Sequence, residues 1–304
     1  MARGMKEVMR DCDLVLASLD PLHRCKVVED LLVCRLLRKS QRVRDMWEAT
    51  AHDWNETFYR MTAYAMGAPR NSQPFVKLAS LATYHMCLKE RSSLTSVEAL
   101  LLGTAGMLSG EYYDDYVLRL QDEYVHLANK YHLSSMVGGE WQRGGNYPAG
   151  NPTRRLVQMA ALVSKDNYSM DGVVAIGSLA EVEQFFGVRL SDFWRRRFAL
   201  GGRECGGGVT MGSSKVYMMA INLVVPMLFA YGSVLGDDGM KMRAMDLLES
   251  IPAEHNRKVA RWTGAGVPCS SAYESQALIE LTDLCAEQGC ERCPLAKYCR
   301  AKGE

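Results

Sequence analysis

The sequence predicts an all-α protein, and three observations carry this prediction. Apolar residues recur at three- and four-residue spacing along most of the chain, whereas the strict alternation of a half-buried strand is nearly absent. Helix start signals, a Ser, Thr or Asp followed three residues later by Glu, recur ahead of apolar stretches. Methionine is abundant (18 residues) and phenylalanine scarce (7), which favours an adaptable, helix-rich core.

Start signals and apolar stripes place the helices in order along the chain. A long amphipathic stretch begins at Pro21, and Val and Leu recur there at helical spacing up to Leu36. Pairs of a capping residue and a following Glu mark later starts, and Pro252 suits a first helical turn. Tyr and Leu recur every three or four residues from Tyr113 to Tyr131, which predicts another helix. The predicted starts are Pro21, Asp53, Thr95, Ser178, Pro252 and Ser271.

One uncharged run, from Val216 to Leu235, requires a choice between a core helix and a membrane span. Its length is sufficient to cross a bilayer. However, Asn222 and Pro226 lie in its middle, its apolar content is moderate, and no second such run occurs. We therefore expect a buried central helix over residues 216–232, kinked at Pro226, and no membrane association.

The sequence shows few signs of a division into domains. Two Gly-rich stretches, residues 137–152 and 201–214, predict long loops, and no internal repeat is visible. The composition does not shift clearly before about residue 265. The sequence therefore predicts a helical domain over residues 1–264, followed by a last helix and a cysteine-rich segment over residues 265–304.

Composition and charge exclude several classes of protein. With 304 residues, 48% hydrophobic and 23% charged, the chain is a folded globular protein rather than a disordered or low-complexity one. A formal net charge of +1 gives no overall field that would attract nucleic acid or an anionic membrane, so such a partner requires a local patch. The N-terminus lacks an apolar signal core, and we expect a cytoplasmic location.

The strongest chemical signal is a group of four cysteines near the C-terminus. Gaps of four, two and five residues separate them, and the two-residue gap lets one turn present two sulfurs to one metal centre. A [4Fe–4S] cluster is preferred here, with a structural zinc ion as the alternative and four free thiols as the third option. The six other cysteines are scattered and are expected to be small buried apolar residues. The predicted ligands are Cys285, Cys290, Cys293 and Cys299.

Basic residues cluster beside aromatic residues and in the Gly-rich loops. Arginine next to aromatic rings can bind phosphates, and the rings can stack on bases. More often, however, such a cluster of basic residues is simply the solvent-exposed face of a helix. The sequence predicts DNA as a partner on this basis. The predicted nucleic-acid-binding residues are Arg143, Arg154, Arg155, Arg195, Arg196 and Arg197.

The run CERCPLAKYC resembles the iron–sulfur loop of the endonuclease III family of DNA glycosylases, although the first gap is four residues instead of six. Gly264 and Gly266 lie between two predicted helices, as the hairpin of those enzymes does, but no lysine follows where they place a nucleophile. The glycines at 206–212 do not form a phosphate loop, because Lys215 comes two residues late and no strand precedes it. A glycosylase-like enzyme is therefore only an alternative.

The order of several segments resembles the bacterial domain-of-unknown-function family 2851. The resemblance runs from about residue 53 to the C-terminus. The matching segments are DWNETFYRMTAYAMG, EALLLGTAGML, PAGNPTRRLVQMAAL, INLVVPMLFAYG, PAEHNRKVARW, SQALIELTDLC and CERCPL.

This resemblance has consequences for the site and the partners. Tyr147 and Gly150 stand where the family carries Arg and Asn, while Pro152, Arg154 and Arg155 are kept. Longer members have an N-terminal part with strands and an acidic, nuclease-like pattern, which implies that a separate nuclease-like chain is a candidate partner.

Two functions of different classes follow. The first is a nucleic-acid-associated module in which a metal centre fixes a C-terminal lobe beside the arginines. The second is a protein-interaction or structural domain in which the metal only stabilises the C-terminus. No candidate nucleophile or pair of carboxylates indicates catalysis, so no enzymatic activity is assigned.

Overall fold

The chain forms a succession of helices in a computed structural model that describes residues 5–143, 150–204 and 211–300. These ranges contain no strand, and their one isolated β-bridge pairs Pro252 with Ser271. The all-α prediction is therefore confirmed. The helices are α1 (Met5–Ser18), α2 (Pro21–Ala49), α3 (Trp54–Gly67), α4 (Ser72–Leu81), α5 (Tyr84–Glu90), α6 (Leu94–Thr104), α7 (Asp115–Tyr131), α8 (Pro152–Val163), α9 (Met170–Val174), α10 (Leu179–Phe186), α11 (Asp192–Arg195), α12 (Ser213–Met219), α13 (Val225–Leu235), α14 (Asp238–Ser250), α15 (Arg257–Gly264), α16 (Ala272–Ala286) and α17 (Ala296–Arg300). Parts of both predicted loops, residues 144–149 and 205–210, lie outside the described residues.

Local capping explains most of the helix starts. The Asp53 side chain accepts hydrogen bonds from the backbone of the first turn of α3, and Ser271 with Glu274 forms a capping box ahead of α16. The predicted starts at these two positions are confirmed. The start predicted at Pro252 is wrong, because Pro252 pairs with Ser271 in the β-bridge. Helix α15 begins five residues later, where the Asn256 side chain caps its first turn.

The uncharged run forms α12, a π-helical turn over Ala220–Val224, and α13. The Val225 N–H bonds to the carbonyl of Ala220, five residues back, immediately before Pro226. Since Pro226 has no N–H to offer, the π turn lies where the regular helical hydrogen-bond pattern is interrupted. The run is the predicted central helix, and residues such as Leu223 and Met227 are fully buried. By length and composition Ser213–Leu235 could also cross a membrane, but 67% of that window is buried inside the fold, as in a core helix.

The chain packs as two units. The terminal unit combines Met1–Arg42 with Leu228–Glu304, and the central unit contains Val43–Met227. The predicted boundary at residue 264 lies inside the terminal unit, because α1 packs against α16 and α17 from the other end of the chain. The terminal unit therefore brings together residues that are far apart in sequence.

A carboxyl group is buried in the core of the central unit. Glu98, on α6, is fully buried, and its Oε2 accepts hydrogen bonds from the Tyr116 hydroxyl and, at 3.1 Å, from the Trp194 indole N–H. Its other oxygen, Oε1, has no hydrogen-bond partner among the described residues. Burial raises the pKa of Glu98 to about 7, because desolvation disfavours the ionised form.

This carboxyl makes stability depend on pH. The folded pKa of Glu98 lies above its ordinary value of 4.5. At a pH between 4.5 and 7, the folded state therefore holds a proton that the unfolded state has lost. The stabilising contribution is thus present in acid and is lost as the pH rises through 7, by about 3 kcal/mol in total. Urea unfolding at pH 5 and pH 8 should show this loss in the wild type and a smaller one in Glu98→Gln. Equal losses in both proteins would contradict it.

Candidate metal centre

The four predicted ligands lie on or after the last turn of α16. Cys285 ends the buried face of this helix, and Gln288 adopts a positive φ of 55° that reverses the chain. A single 3-10 turn, Cys290–Arg292, follows, and the Cys293 N–H bonds to the carbonyl of Cys290 at 3.2 Å. The fully buried Leu295 then anchors the start of α17, which carries Cys299.

The four thiols differ in their environment. Cys285 is buried, Cys293 and Cys299 are half-buried, and Cys290 is exposed. The pKa of Cys293 is raised, first by burial and further by the nearby thiols of Cys299 and Cys290. The four thiols therefore range from buried at Cys285 to solvent-exposed at Cys290.

A fifth thiol belongs to this group. Cys12, on α1, is 7% exposed, and its thiol is hydrogen-bonded to the thiols of both Cys285 and Cys299. Cys293 is also close enough to act on it electrostatically. The hydrogen bond with Cys285, together with burial, raises the pKa of Cys12 to about 12. A metal that binds here must displace thiol protons, because only the thiolate is a ligand.

The neighbouring elements hold Cys12 and α17 in place. The Asp13 carboxylate, next to Cys12, pairs with Arg261 of α15 at 3.1 Å. On α17, the ring of Tyr298 makes an edge contact with the ring of His23 from α2, with the ring centroids 5.6 Å apart. Two independent contacts thus fix α1 and α17 within the terminal unit.

The metal itself remains a prediction. Among the side chains that the structure describes, no three or more of His, Cys, Asp and Glu take an arrangement that holds a metal ion. The contacts are pairs of thiols, Cys12 with Cys285 and Cys12 with Cys299. The donor set suits a soft metal centre, since clustered thiolates are the ligands of zinc and of iron–sulfur clusters.

The scattered cysteines follow the sequence-based expectation only in part. Cys12 and Cys87 are buried, and the Cys87 sulfur lies 3.5 Å from the Tyr59 hydroxyl. Cys25 is exposed, so the expectation of burial is wrong for this residue, and Cys34 and Cys269 are half-buried. Cys205 lies outside the described residues.

Arg154, one of the predicted nucleic-acid ligands, is a core residue. Its side chain is 2% exposed, and its guanidinium donates to the backbone carbonyls of Trp194 and, at 3.0 Å, of Arg197. The same group lies over the Phe198 ring, 5.3 Å from its centroid. The charge therefore fixes the backbone around α11 and is not available at the surface.

The arginine run after Trp194 is balanced by acidic residues. Arg195 pairs with Asp192 at 3.0 Å, and both Arg196 and Arg197 pair with Glu204, at 3.5 and 3.2 Å. Such local pairs reduce the potential that phosphates would meet. Arg143 is exposed. It lines an open cavity of about 410 Å³ together with Trp141 and Tyr112.

The comparisons with known proteins give one match. A family model described as "Protein of unknown function (DUF2851)" matches residues 4–257. No curated protein and no solved structure matches the chain. The match begins well before residue 53 and ends before Cys285, so it contains Cys12 but not the C-terminal cysteines. The resemblance of CERCPLAKYC to the endonuclease III family is not supported.

Proposed function

Because this chain belongs to the family described as a protein of unknown function (DUF2851), we propose its function from its own side chains: the protein binds a metal centre through cysteine thiolates. The predicted ligands Cys285, Cys290, Cys293 and Cys299 supply three or four of them, and Cys12 is a further candidate. A [4Fe–4S] cluster is the preferred occupant and zinc the alternative.

One observation carries this proposal: the thiol of Cys12, from the first helix, lies against those of Cys285 and Cys299 at the other end of the chain. A disulfide framework of a secreted protein would spread its bridges over the fold, whereas these sulfurs concentrate at one point. A thiolate-bound centre would tie α1 to α16 and α17. Its role in this proposal is structural, as a link that stabilises the terminal unit.

Association with DNA or with a separate nuclease-like chain is considered next, from the contacts of the predicted arginines. Arg154 is buried, and Arg195, Arg196 and Arg197 are paired with acidic residues. These contacts do not favour a duplex-binding surface. The observations therefore favour the metal-stabilised domain over the nucleic-acid module, and the latter stays a prediction.

The metal proposal is tested on the full chain purified without oxygen. We expect a brown protein with about four iron atoms per chain, or a colourless one with one zinc ion, by metal analysis and visible absorption. Cys285→Ala should lose most of this metal. Cys87→Ala is the matched control, because Cys87 is also buried but is bonded to Tyr59. Absence of stoichiometric metal from the wild type, or equal metal in both variants, would overturn the proposal.

A further inference from the structure

The terminal unit contains a cavity of about 590 Å³ that none of the five clustered cysteines lines. Its walls come from the start of α2, the end of α14, the connection between α15 and α16, and the first turn of α16. All of these segments belong to the same unit. A cavity of this volume has the size of a site for a small organic molecule.

Part of the wall is apolar and rigid. The side chains of Val28 and Val267 are 9% and 3% exposed, so they form a well-packed surface within the lining. Pro21 and Pro268 also line the cavity, and their rings restrict the backbone on either side. The half-buried Tyr273 adds an aromatic ring from α16. A ligand that fills this space therefore needs an apolar body.

The charged side chains of the lining are mostly acidic. Glu29, Glu249 and Glu274 each contribute a carboxylate, whereas Arg24 contributes the one guanidinium of this lining. Arg24 Nη1 donates to the carbonyl of Leu19, just before α2, at 3.5 Å. The cavity thus has an excess of negative charge, which is complementary to a cationic ligand.

The helix ends at the cavity favour the same sign of ligand. Helices α2 and α16 begin there, but each N-terminus already has a carboxylate of this chain. Asp20 accepts from the backbone of the first turn of α2, and Glu274 Oε2 accepts from the Ser271 N–H at 3.3 Å. Helix α14 ends one residue after Glu249, and its last turn has no basic residue. The negative end of α14 therefore lacks the cation that it favours.

Glu249 is the carboxylate of the lining that is free to bind. It is exposed and makes no hydrogen bond or ion pair with another described residue. Glu29, by contrast, pairs with Lys26 at 3.3 Å. The pKa of Tyr273 is raised to about 12, first by burial and then by the charges of Glu29 and Glu249. The phenol therefore stays neutral, and both carboxylates act on it.

We propose that this cavity binds a primary amine joined to an apolar body. The ammonium pairs with Glu249 and contacts the face of the Tyr273 ring, since aromatic faces attract cations. The apolar body packs against Val28 and Val267. This apolar wall distinguishes an organic cation from a hydrated metal ion. The inference uses other side chains than the cysteine site and does not depend on it.

Calorimetry on the full chain at pH 7 and low salt tests the charge and shape of the ligand. The probes are phenethylamine, phenethyl alcohol, which has the same body without the charge, and 3-phenylpropionate, which has the opposite charge. We expect the amine to bind about fivefold or more tightly than either of the others, and added sodium chloride to weaken it. No binding of the amine, or equal binding of the alcohol, would overturn the proposal.

Variants test the assignment of the residues. Glu249→Gln and Tyr273→Leu should each weaken binding of phenethylamine by about fivefold or more. Because Glu249 is exposed, its variant should fold as the wild type does. Glu111→Gln is the matched control, since Glu111 is also exposed but lies outside the lining. Binding that is the same in Glu249→Gln as in Glu111→Gln would contradict the proposal.

The exposed Cys25 thiol, which also lines the cavity, reports where the probe lies. Bound phenethylamine should slow the alkylation of Cys25 by iodoacetamide, measured by peptide mass spectrometry. Cys290 is the internal reference, because it is exposed but lies outside the lining, and its rate should not change. Protection of neither thiol, or of both equally, would show that the amine does not bind in this cavity.

Discussion

Replacing Glu280 by alanine is expected to lower the free energy of unfolding by about 3–5 kcal/mol. The Glu280 side chain on α16 is 5% exposed, and its Oε2 accepts from Arg35 at 3.2 Å and from Arg38. The Arg35 side chain is itself only 14% exposed. Removing the carboxylate leaves a largely buried guanidinium short of a partner, which costs more than the ion pair contributes when complete.

The surroundings do not offer a replacement for Glu280. Asp283, one turn further along α16, already accepts from Arg35 and Arg38, both at 3.0 Å, and from Lys258. Lys39 adds a further positive charge, and burial, followed by the charge of Arg35, lowers its pKa to about 7. Loss of one carboxylate therefore leaves an excess of positive charge between α2 and α16.

Urea unfolding at pH 7 measures this effect. The matched control is Glu29→Ala, because Glu29 also pairs with a cation, Lys26 at 3.3 Å, but both side chains are about half exposed. An exposed pair contributes about 0–1 kcal/mol, so the control should change stability little. A loss of similar size in the two variants would show that Glu280 is no more important than a surface residue.

Local signals in the sequence predicted the helices well. The caps at Asp53 and Ser271 bond to residues within the same helical turn, so a short stretch of sequence contains all the partners. The helix start predicted at Pro252 was wrong for a related reason. Its suitability for a first turn is also local, but its β-bridge to Ser271 depends on how the chain folds back.

Contacts between the chain ends could not be predicted. Cys12 has the same local appearance as any apolar-face cysteine, and only folding brings it to Cys285. Arg35 and Glu280 lie on amphipathic helices and are indistinguishable there from solvated charges. Arg154 shows the opposite error. Its basic and polar neighbours in the sequence suggested a surface ligand site, but the side chain is buried and donates hydrogen bonds to backbone carbonyls.

Replacing Cys12 by alanine is expected to remove most of the bound metal, as replacement of Cys293 should. A structural zinc ion takes four protein ligands, and a [4Fe–4S] cluster takes four thiolates in total, one on each iron, whereas five cysteines lie in this region. The Cys12 thiol is buried and hydrogen-bonded to two of them, while Cys290 is exposed and acts electrostatically on Cys293. These contacts favour Cys12 over Cys290 as the fourth ligand.

The choice between these two thiols is measured directly. Metal affinity of the full chain should fall by about tenfold or more in Cys12→Ala and by less in Cys290→Ala, as each lost ligand removes binding energy that also stabilises the fold. Urea stability should follow the same order when metal is present and should converge when a chelator is added. Cys87→Ala provides the control for loss of a buried thiol elsewhere. If Cys290→Ala loses the metal and Cys12→Ala keeps it, Cys12 is a packing residue, and the ligands are the four C-terminal cysteines that the spacing predicts.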